Sequence, residues 1–153
     1  MKRKYEIERR HVMTRTKVEI VTEAIKELGI PANLLGYHYA RYAVLLLIND
    51  ESFMNNICAK LYPEIANRFK TTSSRVERTI RHAIEIGWDR GNIDFQKKLF
   101  GYTVNQNKGC PTNSEFITTL ADWFNMSQEG ITDNLNERAI AKATEETFGG
   151  EWK

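Results

Sequence analysis

The sequence predicts an all-α fold, a compact bundle of about six helices containing a helix-turn-helix. Three observations lead there. Apolar residues recur every three or four positions in successive segments, no alternating apolar and polar run reaches five residues, and glycine, proline and hydroxyl residues sit where the helical patterns begin and end.

Val18, Val21, Ala24, Ile25 and Leu28 lie at helical spacing from Thr16 to Leu28, with a stop at Gly29 and Pro31 beyond. From Leu35 to Ile48 apolar residues occupy most sides, which suits a helix at the buried centre of a bundle. Asn49, Asp50 and Glu51 break the pattern, and a third helix is expected from Ser52 to about Tyr62, on the repeat of Phe53, Ile57 and Leu61. Pro63 fits the first position of a new short helix ending at Phe69, because its missing amide hydrogen would be unpaired there anyway.

Lys70, Thr71 and Thr72 read as a turn, followed by the longest expected helix, from Ser73 or Ser74 to about Gly87. A short helix from Ile93 to Phe100 and an irregular connector from Gly101 to Pro111 come next. Thr112 and Glu115 match a capping box, so a helix should run to about Phe124. Residues 131–147 are too poor in apolar groups to pack firmly, and Met1 to Met13 are similar. Both ends are expected to be partly disordered in isolation.

A chain of 153 residues is the size of one ordinary domain. The division expected is a basic arm over 1–15, a helical domain over 16–126 and an acidic tail over 127–153. Residues 1–17 hold seven cations and two acids, whereas residues 127–153 hold six acids and three cations, so the net charge of +2 hides a strong asymmetry. The longest apolar run, Ala43 to Ile48, is far too short to span a membrane, and no signal-peptide pattern opens the sequence; a soluble, cytoplasmic protein is expected. Cys58 and Cys110 lack metal-ligand spacing and read as thiols in a reducing compartment.

Catalytic chemistry finds little to build on. His11, His38 and His82 have no Ser-His-Asp, Cys-His or metal pattern around them, His38 reads as a structural residue of the buried helix, and the isolated Gly91 and Gly101 form no phosphate loop. No enzyme activity, cofactor or metal is expected.

The constellation that carries function spans residues 63–88. Ile65 and Phe69 of the first helix are expected to face the core, and Ala66 is small enough for a close crossing. In the second helix Val76, Ile80, Ala83, Ile84 and Gly87 share one face, with Trp88 closing its end. Ser74 with Glu77 offers a capping box, and Thr72 or Ser73 offers an alternative cap. Arg75, Arg78 and Arg81 or His82 recur on the opposite face, where arginine can donate two hydrogen bonds to guanine and Glu77 can accept from cytosine. Ser73 and Ser74 suit phosphate oxygens. The pattern points to double-stranded DNA. The plainer alternative is a solvated face in which Glu77 and Arg81 form an i,i+4 pair.

The segments GIPANLLGYHYARYA (29–43), LYPEIANRFKTTSSRVERTIRHAIEIGWDRGNID (61–94), LFGYTV (99–104) and PTNSEF (111–116) closely resemble the C-terminal effector domain of stage-zero sporulation protein A, from about Lys17 to Met126. The resemblance implies a six-helix domain whose helix-turn-helix binds a promoter box close to TGTCGAA, usually in tandem copies that two protein molecules would occupy. It also implies activation or repression of transcription and contact with the sigma subunit of RNA polymerase. The SRVERxIRH motif assigns contacts to Arg75, Glu77, Arg78, Arg81 and His82, with Ser73 and Ser74 near phosphate. The polymerase-contacting segment falls around Gly91 to Leu99, which departs from the commoner pattern at Phe95, Gln96, Lys97 and Lys98. The match starts about 16 residues into the sequence, so control by a phosphorylatable receiver domain is not expected here. The competing expectation is a stand-alone adaptor or antagonist that binds the full-length regulator or RNA polymerase.

Overall fold

The computed structural model describes residues 15–101 and 109–128, and among them every regular element is helical. In chain order these are α1 (Lys17–Glu27), α2 (Leu35–Asn49), a 3₁₀ turn (Glu51–Phe53), a π-helical turn (Ile57–Leu61), α3 (Tyr62–Phe69), α4 (Ser73–Trp88), α5 (Ile93–Phe100) and α6 over 113–128. The two ends, expected to be partly disordered and including residues 131–147, lie outside the described residues, as does most of the connector after Gly101.

Helix α1 begins where Thr16 Oγ1 accepts the amide hydrogen of Glu19. It buries Val21, Ala24, Ile25 and Leu28. Val18 does not join that stripe and is 47% exposed. Lys17 Nζ already meets Asn49 Oδ1, at the last residue of α2, so the first turn of α1 sits at the rim of the bundle. The stop at Gly29 has φ of 97°, and a side chain there would strike the carbonyl oxygen of Gly87. Glycine is needed both for the backbone angle and for the close approach of α4.

The third helix expected from Ser52 to Tyr62 is not a single α-helix. A 3₁₀ turn capped by Asp50 ends at Phe53, and from Asn56 the chain winds as a wider π turn that runs directly into α3. The amides of Leu61 and Tyr62 reach back five residues, to Asn56 and Ile57. Pro63 supplies the reason. A proline cannot donate to the carbonyl four residues back, and its ring crowds that carbonyl. Widening the preceding turn relieves the clash without breaking the helix.

The core gathers Val21 and Ile25 of α1, Leu28 just after it, Val44 and Leu47 of α2, Ile65 of α3, Ile80 and Ile84 of α4, and Phe116 and Leu120 of α6. Burying each aliphatic side chain of this kind contributes about 1.5–3 kcal/mol. The most extensive packing is between α2 and α4. They cross at Gly36, where a Cβ would lie 2.4 Å from the Thr79 carbonyl oxygen and 2.5 Å from Ala83 Cβ. His38, on the same helix as Gly36, is half-buried, edge-on to Tyr37 and 3.4 Å from Arg41 Nη2.

Candidate functional site

Helices α3 and α4 are joined by Lys70, Thr71 and Thr72. Lys70 takes the left-handed conformation at φ of 54°, and the amides of Lys70 and Thr71 both return to the Ala66 carbonyl, closing α3. Thr72 then caps α4, its Oγ1 accepting from the amide of Arg75. The capping box expected of Ser74 and Glu77 is therefore not the one formed. With Thr72 as the cap, the third helical residue is Arg75, which has no carboxylate to return the bond.

The inner face of α4 is as the sequence predicts: Val76, Ile80, Ala83, Ile84 and Gly87 are buried. Trp88 closes the end with its ring edge-on to Phe100 at 5.0 Å. In α3, Ile65 and Ala66 are buried, but Phe69 is 37% exposed. Its ring packs on Tyr39 at 4.9 Å and near Tyr42 at 5.6 Å, at the rim just before the chain reverses.

On the outer face Ser74, Arg75, Arg78, Arg81 and His82 are exposed, while Ser73 and Glu77 are half-buried. The side chains are not equivalent. Arg81 Nη1 lies 3.2 Å from Glu77 Oε1, so the i,i+4 pair of the plainer reading exists. Arg78 Nε folds back toward the Ser74 carbonyl at 3.4 Å. Such exposed contacts are worth at most about 1 kcal/mol and break readily when a stronger acceptor arrives.

Two neighbours of this face had no role in the sequence reading. Cys58 and Tyr62, from the π turn and the start of α3, line a groove of about 570 Å³ with Ser73, Ser74, Arg78 and Arg81. Burial pushes the Tyr62 hydroxyl above its ordinary value; a hydrogen bond from Asn113 opposes this, and the nearby Cys58 and Glu77 reinforce it. Asn113 Nδ2 donates to the Tyr62 hydroxyl oxygen at 3.2 Å and to the Glu77 carbonyl at 2.8 Å. The signal for Asn113 was present in the TNSE motif but pointed only to capping, which Thr112 provides by accepting from the amide of Glu115. Cys58 and Cys110 both border this region and are not joined by a disulfide.

The segment after α4 is pinned rather than open. Asn92 caps α5, its Oδ1 accepting from Asp94 and Phe95, while its Nδ2 donates to Glu27 Oε1 at 2.6 Å. Gln96 is 7% exposed and donates to the carbonyls of Trp88 at 3.0 Å and Leu28 at 3.5 Å. Phe95 packs edge-on to Trp123 at 5.8 Å. Two of the four departures in this segment are thus packing residues, and Lys97 and Lys98 are the exposed ones. Among the described residues no cluster of His, Cys, Asp and Glu fits a metal ion, and no helix is long and apolar enough to cross a membrane.

An all-α bundle in which a short helix, a three-residue turn and a cation-bearing second helix follow one another has the build of a DNA-binding effector domain. Residues 21–124 match the family described as Sporulation initiation factor Spo0A C terminal. The chain belongs to that family, and its domain is of the DNA-binding effector class.

Proposed function

We propose that this domain reads a short box of double-stranded DNA in the major groove through α4, and so regulates transcription. The observation that carries the reading is the division of α4. Its inner face is locked into the core at Val76, Ile80, Ala83 and Ile84, and its outer face holds Arg75, Arg78, Arg81 and His82 in solvent. A helix anchored on one side presents side chains at fixed spacing, which base reading requires.

Arg75 and Arg78 are the direct base readers in this scheme, each able to donate two bonds to a guanine edge. Ser73 and Ser74, with the α4 amides, take phosphate oxygens. Glu77 holds Arg81 in the unbound protein and either keeps it in place or accepts from cytosine on binding. Two molecules on tandem boxes are part of the same reading. A contact with the polymerase sigma subunit draws support from the exposed Ile93, Lys97 and Lys98 of α5.

Selection of bound duplexes from a randomised pool tests the reading directly. A common box related to TGTCGAA is expected, with affinity that falls as salt rises. Recovery of unrelated sequences together with tight binding to the full-length regulator or to polymerase would turn the assignment toward an adaptor.

A further inference from the structure

Cys58 and Cys110 are the two cysteines of the sequence, and the fold brings both to one cavity. The cavity, of about 510 Å³, is bordered by the π turn, α4 and the start of α6, with Tyr62, Glu77, Arg81 and Asn113 also in its wall. Cys58 is exposed and Cys110 half-buried. No disulfide joins them.

Their neighbours fix how the two segments meet. Cys58 stands about one turn before Tyr62, and its charge is among the causes that raise the Tyr62 hydroxyl, so the thiol lies near that group. Cys110 stands three residues before Asn113, whose Nδ2 donates to the same hydroxyl at 3.2 Å. Asn113 is also tied to the Glu77 carbonyl at 2.8 Å, which holds the segment carrying Cys110 against α4 as well. Among the described residues no third His, Cys, Asp or Glu joins the two thiols in a group that could hold a metal ion. Thiol chemistry is what the cavity offers.

We propose that Cys58 and Cys110 form a reversible thiol–disulfide pair, oxidised by a low-molecular-weight disulfide such as oxidised glutathione. The thiolate of Cys58, the more accessible of the two, attacks one sulfur of the external disulfide and releases the other half as a thiolate. The thiolate of Cys110 then attacks the Cys58 sulfur of this mixed disulfide, forming the internal S–S bond and releasing the second external thiolate. Two protein thiols are oxidised and one external disulfide is reduced to two thiols, which take up the two protons given off by the protein. The internal bond ties the π turn to the start of α6 beside Glu77 and Arg81. The pairing does not depend on the function proposed above.

Equilibrium of the full chain with a series of reduced and oxidised glutathione mixtures tests this, in native buffer and again in denaturing urea. After acid quenching and alkylation, mass spectrometry should find an intrachain peptide pair linked through Cys58 and Cys110, short of two hydrogens and restored by a reductant. The effective concentration of one thiol toward the other should be at least about tenfold higher in the native protein than in urea, because the fold already holds the two segments together. A ratio below that would mean that the fold does not bring the sulfurs within reach, and the proposal would fall. A native end state of mixed glutathione disulfides on the two cysteines, or of dimers linked between chains, would overturn it equally. Cys58→Ser and Cys110→Ser should each end with one glutathione on the remaining cysteine; loss of two hydrogens within one chain in either variant would contradict the assigned pair.

Discussion

The side-chain amide of Asn113 donates to the backbone carbonyl of Glu77 at 2.8 Å and so ties the start of α6 to the outer helix α4. Asn113 Nδ2 also reaches the Tyr62 hydroxyl, while Asn113 Oδ1 is buried with no hydrogen-bond partner. Asn113→Ala loses both bonds but also removes the orphaned acceptor, so it should cost about 1–2 kcal/mol. Asn113→Asp turns the donor into an acceptor aimed at a carbonyl oxygen and should cost more. Urea denaturation at neutral pH checks the order; an Asp variant as stable as the Ala variant would contradict the assigned donor.

Gly36→Ala is expected to destabilise. A helical glycine replaced by alanine ordinarily gains about 0.5–1 kcal/mol. Here the new Cβ meets the Thr79 carbonyl oxygen and Ala83 Cβ at 2.4 and 2.5 Å, both part of the facing helix rather than the tip of a flexible side chain. Overpacking of this kind costs about 1–3 kcal/mol, so the sign of the effect reverses. A thermal melt with an unchanged or raised midpoint would show that α2 and α4 are farther apart.

These two positions also show what a sequence can and cannot carry. The stripe from Val76 to Gly87 was legible because burial imposes the helical period on residue type, and the exposure of Arg75, Arg78, Arg81 and His82 followed from the same period. Gly36 and Asn113 act through contacts with residues more than thirty positions away, which no local pattern encodes. The π turn before Pro63 was missed for a different reason. A proline at the start of a helix reads as a clean boundary, whereas the chain here keeps winding by widening one turn. Gln96 is a further case that no local pattern encodes, since its amide serves a buried carbonyl of Leu28 and a part-buried carbonyl of Trp88.

Tyr62 should make stability sensitive to alkaline pH. Burial holds its hydroxyl above the ordinary tyrosine value, so the neutral form is favoured in the folded state. Its contribution is complete below the unfolded value near pH 10 and is lost as pH rises through the folded value. Tyr62→Phe cannot ionise. The wild-type protein should lose its stability advantage over this variant above about pH 10, and parallel curves from pH 7 to 11 would argue against the burial of that hydroxyl.

Lys70 occupies the left-handed position that ends α3, a conformation that costs a non-glycine residue about 1 kcal/mol or more. Lys70→Gly should therefore raise stability by about 0.5–1 kcal/mol while removing one exposed cation beside the start of α4. Affinity for random and specific duplexes should fall together, with a salt slope shallower by at most about 0.9. A stabilised variant with an unchanged salt slope would place the turn away from phosphate.

The arginines of α4 should separate by what holds them in the unbound protein. Arg75 is exposed at the amino-terminal end of the helix, and Arg78 makes only a long contact to the Ser74 carbonyl. Arg75→Ala and Arg78→Ala should each weaken specific binding by about 1–3 kcal/mol and relax the preference at one base, leaving the circular dichroism spectrum unchanged. Arg81 differs because Glu77 already engages it at 3.2 Å. Glu77→Ala should release Arg81 to phosphate, strengthening binding to random duplexes and steepening the salt slope by about 0.9. Discrimination between specific and random sequence should fall at the same time, because an acceptor that can test for cytosine has gone while a non-selective cation has been gained. Fluorescence anisotropy across a potassium chloride series reads all three variants. If Glu77→Ala instead weakened both kinds of binding equally, the Glu77–Arg81 pair would be acting to position Arg81 in the complex, and its restraining role in the unbound protein would have to be abandoned.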